Sequence, residues 1–281
     1  MNSIFNYQTL KVRLDKSTRT LFITLDHDKH ENCFGMEMLF ELESLLAWCT
    51  TKIEIHSIFL QSTTDYFSRG YDKNILKKLK LNQIKKFTQK LQKINQAIML
   101  LPQTIIIDLQ MGTENIASEL ATACDIRIAN RSCRINFNHT KLGMIPCSGG
   151  IAQLSQIAGH ANAKNWLLTG QNIHLNKLEA SGFVYESYTM EYRDEKIQEL
   201  LRSIHEQAPV QRVQTKLGVT ENIRPQTETM LNFEKQIAKA AMISEDWKIK
   251  EEDEGPMKAK NMKTAVKLSL IKNEADDNLP N

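Results

Sequence analysis

The five cysteines of this 281-residue chain, Cys33, Cys49, Cys124, Cys133 and Cys147, form no C-x-x-C pair and show no metal-ligand spacing with histidine. They read as reduced thiols of a cytoplasmic protein, and no metal site is expected. No apolar run approaches the roughly 18 residues a membrane helix needs, so a membrane is not expected as a partner. The opening MNSIFNYQTLKVRLD lacks an apolar stretch followed by a small-residue cleavage site, which predicts no secretory signal. Charge of one sign is also missing: 36 Lys and Arg against 33 Asp and Glu leave a net +3, too mild to argue for nucleic acid. What remains is an ordinary globular composition, 41% hydrophobic and 25% charged, long enough for a sizeable core.

The first two-thirds of the chain alternates strand and helix patterns. Thr20 to His27 and Ile53 to Gln61 read as strands, and Met36 to Trp48 as an amphipathic helix. Between Lys77 and Met99, the residues Ile84, Phe87, Leu91, Ile94 and Ile98 recur at alternating spacings of three and four, which places them on one helical face. Pro102 ends that helix. Thr104 to Leu109 reads as a buried strand, Asn115 to Ala123 as a helix and Asp125 to Ala129 as a strand. Repeated β-α units of this kind predict an α/β fold with helical crossovers. Beyond Gly182 the pattern turns helical, clearest over 191–205 and 228–243. From Lys248 onward charge dominates, with a basic helix predicted over Lys258 to Lys272 before a frayed tail. The predicted organisation is a core over 1–190, a helical region over 191–247 and a charged extension over 248–281.

Five segments, in order, carry a family likeness. Asn32, Met38 and Glu41-Leu42 resemble an N-A-x-N-x-x-M-x-x-E-L opening helix, and Phe67 to Asp72 (FSRGYD) an F-x-x-G-x-D loop. Glu119 to Ala129 resembles E-L-A-x-x-C-D-I-R-I-A, Leu142 to Gly150 (LGMIPCSGG) resembles L-G-x-x-P-x-x-G-G, and Thr169-Gly170 with Gly182 to Val184 resembles T-G…G-L-V. On these motifs the chain resembles a divergent member of the crotonase (enoyl-CoA hydratase/isomerase) superfamily. The resemblance implies a spiral of β-β-α units followed by C-terminal oligomerisation helices, assembled as a homotrimer or homohexamer. It implies an acyl-CoA thioester as ligand, coenzyme A being part of the substrate, with no permanently bound cofactor. In such a site two backbone N–H groups form an oxyanion hole for the enolate, and hydratase (lyase) or isomerase chemistry follows, as in fatty acid metabolism.

Carried over by position, the resemblance places the oxyanion-hole donors at Tyr71 and Ile116. Arg69, Gly70 and Asp72 fall on the coenzyme A side of the loop, and Glu119 falls on the first catalytic carboxylate. The second carboxylate position falls on His139, which titrates near neutral pH but differs from glutamate in charge and reach. The Gly-rich turn before the glutamate is replaced by Asn115, Ile116 and Ala117. A branched residue forced into left-handed geometry there would cost about 1–2 kcal/mol, and Ile116 would crowd a thioester. Taken alone, Glu119 is an acid favoured at a helix N-terminus, His139 a structural histidine and Tyr71 a packing residue beside a tight turn. Lys248, Lys250 or residues of the basic helix are the candidates to replace the missing A-F-x-x-K-R ending. The lysines between Lys77 and Lys93 read as a solvated helix face. Two functions stay open: an acyl-CoA hydratase/isomerase using Glu119 and His139, or a catalytically inactive scaffold with its pocket filled by Asn115 and Ile116, acting through oligomerisation or partner binding.

Overall fold

The computed structural model describes residues 6–76, 78–244 and 247. Its strands are β1 (Leu10–Asp15), β2 (Thr20–Leu25), β3 (Ser57–Ser62), β4 (Thr104–Asp108), β5 (Gly112–Glu114), β6 (Ile126–Asn130), β7 (Arg134–Asn136), β8 (Ile173–His174) and β9 (Glu186–Tyr188). Its helices are α1 (Met36–Cys49), α2 (Lys73–Leu76), α3 (Leu81–Leu100), α4 (Asn115–Ala123), α5 (Gly150–Thr169), α6 (Leu175–Ala180), α7 (Arg193–His205) and α8 (Pro209–Ser244).

β2, β3, β4 and β6 are runs rich in Ile, Leu, Phe and Thr that are buried on both faces, as parallel strands covered by helices must be. They lie in the order β1-β2-β3-β4-β6-β9, with only β1 antiparallel to its neighbour. A second sheet, β5-β7-β8, runs beside it. Each turn of the chain gives one strand to the large sheet, one short strand to the small sheet and then a helix: β4-β5-α4, then β6-β7-α5. This is the β-β-α spiral the resemblance implied. Isolated bridges Tyr66↔Gln110 and Ser68↔Thr113 bring the loop after β3 alongside the same small-sheet layer.

The helix seam read from the sequence is the buried face of α3: Ile84, Phe87, Leu91, Ile94 and Ile98 all lie in the core. The helix starts at Leu81 rather than Lys77, because Asp72 starts a separate short helix, α2, whose Asn74 and Ile75 N–H groups it accepts. β3 starts at Ser57 rather than Ile53, because the Ile55 N–H closes a turn onto the Lys52 carbonyl and leaves Ile53 exposed. On the outer face of the large sheet, Ile197, Leu200, Leu201 and Ile204 of α7 pack on Phe22, Phe59, Ile106 and Ile128. Asp108 at the end of β4 accepts from the Tyr188 hydroxyl at 2.5 Å and from Arg193 Nε at 2.9 Å, tying α7 to the sheet through a buried carboxylate.

α8 runs from Pro209 through Pro225 and contains the 228–243 segment read as helical from the sequence. The expected basic helix over Lys258–Lys272, Lys248 and Lys250, and the rest of the 248–281 extension lie outside the described residues. Among the described residues no helix is long and apolar enough to cross a membrane, and no group of His, Cys, Asp and Glu is placed to hold a metal ion.

Candidate active site

The loop after β3 and the start of α4 meet at one atom. The Tyr71 N–H and the Ile116 N–H, the two positions expected to donate to an oxyanion, both point at the side-chain Oδ1 of Asn115, each at 2.8 Å. Two backbone donors converging on one oxygen is the arrangement that stabilises an enolate. Here the oxygen belongs to the chain itself. Asn115 is 2% exposed and has φ +40, a left-handed conformation that asparagine tolerates better than most residues. The strain expected at Ile116 is therefore absent: the positive φ sits one residue earlier, and Ile116 is a helical residue packed in the core.

The loop is held firmly around this contact. Gly70, at φ +73, donates its N–H to Ser68 Oγ, and its carbonyl accepts the Phe34 N–H. A Cβ on Gly70 would lie 1.8 Å from Asn115 Oδ1, so only glycine allows the loop to approach so closely. The Tyr71 ring is buried beside Phe87, with centroids 5.7 Å apart, and burial pushes its phenol well above its ordinary value. The space between Tyr71, Phe34, Ile75, Ile84 and Phe87 is about 20 Å³, scarcely room for a water and far below the 300–1,000 Å³ typical of ligand pockets.

Arg69 and Asp72 are engaged elsewhere than with an open site. Arg69 lies over the Tyr66 ring at 3.7 Å and bonds Glu114 at 2.7 Å. Asp72 caps α2 and lies 3.3 Å from His30 Nδ1.

Glu119, one helical turn into α4, is fully buried, and so is His139. The 3-10 turn at Asn138–Leu142 turns His139 inward, so that its Nε2 lies 2.7 Å from Glu119 Oε1. A carboxylate only accepts, so Nε2 carries the proton. The other oxygen, Oε2, accepts the N–H groups of Cys147 (3.1 Å), Ser148 (2.7 Å) and Gly150 (3.1 Å), and the Ser148 hydroxyl (2.9 Å). Burial pushes the Glu119 carboxyl up, but the His139 imidazole and the Ser148 donors outweigh it and leave it below its ordinary value. Sequence reasoning thus named a pair that the structure does bring together. It did not anticipate that Glu119 would be saturated by the turn that opens α5.

A second carboxylate shares that turn. Glu234 of α8 accepts the N–H groups of Gly149 (2.8 Å), Ile151 (3.0 Å) and Ala152 (3.2 Å). Every N–H from Cys147 to Ala152 therefore ends on Glu119 or Glu234, satisfying the donors of a helix N-terminus. The sequence carried a faint signal: Thr227, Leu231, Glu234 and Ala238 recur at spacings of four, three and four, which puts Glu234 on the buried stripe of α8. Burial and the nearby Glu119 carboxylate push Glu234 up to about 8. Its folded pKa thus exceeds the roughly 4.3 of an unfolded glutamate, so its stabilising share is complete below pH ~4 and is lost as pH rises to about 8. Melting temperatures of the wild type should fall from pH 5 to pH 8.5, and Glu234→Gln should flatten that fall. Parallel slopes in the two proteins would contradict the assignment.

The β-β-α spiral thus brings the Tyr71 loop and the first turn of α4 to one point, with a buried acid on the same helix. The chain belongs to the enoyl-CoA hydratase/isomerase family, whose model matches residues 15–260. It is 24% identical over 238 residues to the short-chain-enoyl-CoA hydratase of Clostridium acetobutylicum, covering 84% of this chain and 91% of that one. It is 25% identical over 234 residues to the mitochondrial methylglutaconyl-CoA hydratase of Rattus norvegicus, covering 80% and 74%. Among solved structures it superposes on an enoyl-CoA hydratase from Bacillus halodurans with a TM-score of 0.79 at 21% identity, covering 86% of this chain and 98% of that one.

Proposed function

We propose that this chain is a crotonase-fold scaffold whose acyl-CoA thioester site is held shut from within, and that it acts through homotrimeric or homohexameric assembly or partner binding rather than by turnover. One observation carries the reading: the carboxamide oxygen of Asn115 occupies the point where a thioester oxygen would accept from Tyr71 and Ile116. Two others support it. Glu119 has its carboxylate oxygens engaged by His139 and the α5 turn, leaving it poorly placed to activate water. The cavity beside the Tyr71 ring, between Phe34, Ile75 and Phe87, is only about 20 Å³.

The enzyme reading, with Glu119 and His139 as acid and base and Tyr71 and Ile116 as the hole, is favoured by a different feature of the same contact. Both donors are kept and converge on one atom, so displacing one side chain would restore the hole. Calorimetric titration with coenzyme A, acetyl-CoA and a medium-chain enoyl-CoA separates the two. The scaffold reading expects no heat from the folded oligomer. Micromolar binding of an acyl-CoA, with turnover lost in Glu119→Gln, would overturn it in favour of the enzyme.

A further inference from the structure

The Asn115 carboxamide could face the two N–H groups with either end, and only its oxygen can accept from them. The two N–H groups on one side and the Arg69 carbonyl on the other, an acceptor only, set its polarity, and a second acceptor reinforces it. Its Nδ2 donates to the Arg69 carbonyl at 3.3 Å and to Asn138 Oδ1 at 3.2 Å. Asn138 has the same two-ended amide, and its Nδ2 reaches Glu114 Oε2 at 3.5 Å. Glu114 accepts only, so it requires the NH₂ end of Asn138 and thereby turns the Asn138 oxygen toward Asn115. The other Glu114 oxygen is held by Arg69 Nη1 at 2.7 Å, and Arg69 also lies 3.5 Å from Glu31. The relay runs from the buried hole to the surface: Asn115 is 2% exposed, while the Glu114, Arg69 and Glu31 side chains are 22%, 31% and 67% exposed.

We infer that Glu114 is a positioning residue: through Asn138 it adds a second acceptor to the Arg69 carbonyl and so reinforces the orientation that keeps the Asn115 oxygen on the two N–H groups, and Arg69 serves this relay by holding Glu114. The inference rests on the closed-site reading and adds what reinforces the closure. Asn138 and His139 are neighbours on one 3-10 turn, so consecutive residues fix the two halves of the site: Asn138 the hole, His139 the acid.

The test is amide hydrogen exchange at Tyr71 and Ile116 in the ligand-free protein, comparing the wild type with Glu114→Gln and Asn138→Ala. Glutamine is isosteric but two-ended, so it keeps the packing and removes the reinforcement. Exchange at both amides should quicken about fivefold, the equivalent of one ordinary hydrogen bond, while the β7 amides stay unchanged. Exchange at Tyr71 and Ile116 equal to that of the wild type in Glu114→Gln would overturn the relay, whatever Asn138→Ala does. So would an equal quickening across β7, which marks general loosening. An acyl-CoA titration of the same proteins tests the closed-site reading separately: binding by the wild type would sink that reading even if the exchange result held.

Discussion

On the closed-site proposal, Asn115→Gly is expected to bind acyl-CoA thioesters more tightly than the wild type. The substitution removes the oxygen that Tyr71 and Ile116 share and leaves both donors aimed at an empty point. Glycine adopts the +40° φ of this position without the cost of about 1 kcal/mol or more borne by a side chain. The two freed N–H groups each gain about 1 kcal/mol when a thioester oxygen replaces the amide, together roughly 30-fold in affinity. Some stability is lost at the same time, because two buried donors stand unpaired until ligand arrives. The variant should therefore melt a few degrees lower alone and recover in the presence of acyl-CoA, as linkage requires. Calorimetry and thermal melts with and without acetyl-CoA check both effects. Turnover is not expected to follow, because Glu119 remains engaged by His139 and the α5 turn.

Glu119→Ala is expected to act on stability rather than on chemistry. The carboxylate is 0% exposed and joins α4, the His139 turn and the first residues of α5. Deleting it leaves three backbone N–H groups and a buried imidazole without their acceptor, the situation in which breaking a buried charged contact costs about 3–5 kcal/mol. A melting temperature lower by about 10 °C follows. Gly150 tightens the constraint: a Cβ there would lie 2.7 Å from the Glu119 side chain, so glycine and glutamate are fitted to each other. A variant that melts like the wild type would show that the carboxylate is not the keystone of this junction. Glu119→Gln keeps one carbonyl oxygen for the α5 turn and should lose less.

The fold was legible because its signals are local. The five-residue seam of α3 and the Thr104–Leu109 strand follow from side-chain periodicity alone, and the motif order supplied the spiral. That the Tyr71 and Ile116 N–H groups would come together was legible too, since backbone N–H groups tolerate a change of side chain. What escaped was how the lost glycines are accommodated. The sequence pointed to strain and bulk at Ile116, whereas the backbone takes its positive φ at Asn115 and turns that side chain back into the hole. That Asn115 fills this space was open to the sequence; that its oxygen accepts both donors depends on the turn of the backbone there. Glu234 lies 85 residues from the Gly149 it bonds, a separation at which a single sequence offers only a place on a buried stripe. The helical character beyond Gly182 was legible from its pattern, and α8 runs through Pro225.

The most direct measurement is a crystal structure of the wild type grown with millimolar crotonyl-CoA. The expected result is that the oxygen accepting from the Tyr71 and Ile116 N–H groups is still Asn115 Oδ1, with no thioester in the hole. A thioester carbonyl at that point, with the Asn115 side chain displaced, would contradict the account and establish an acyl-CoA site that opens to its ligand.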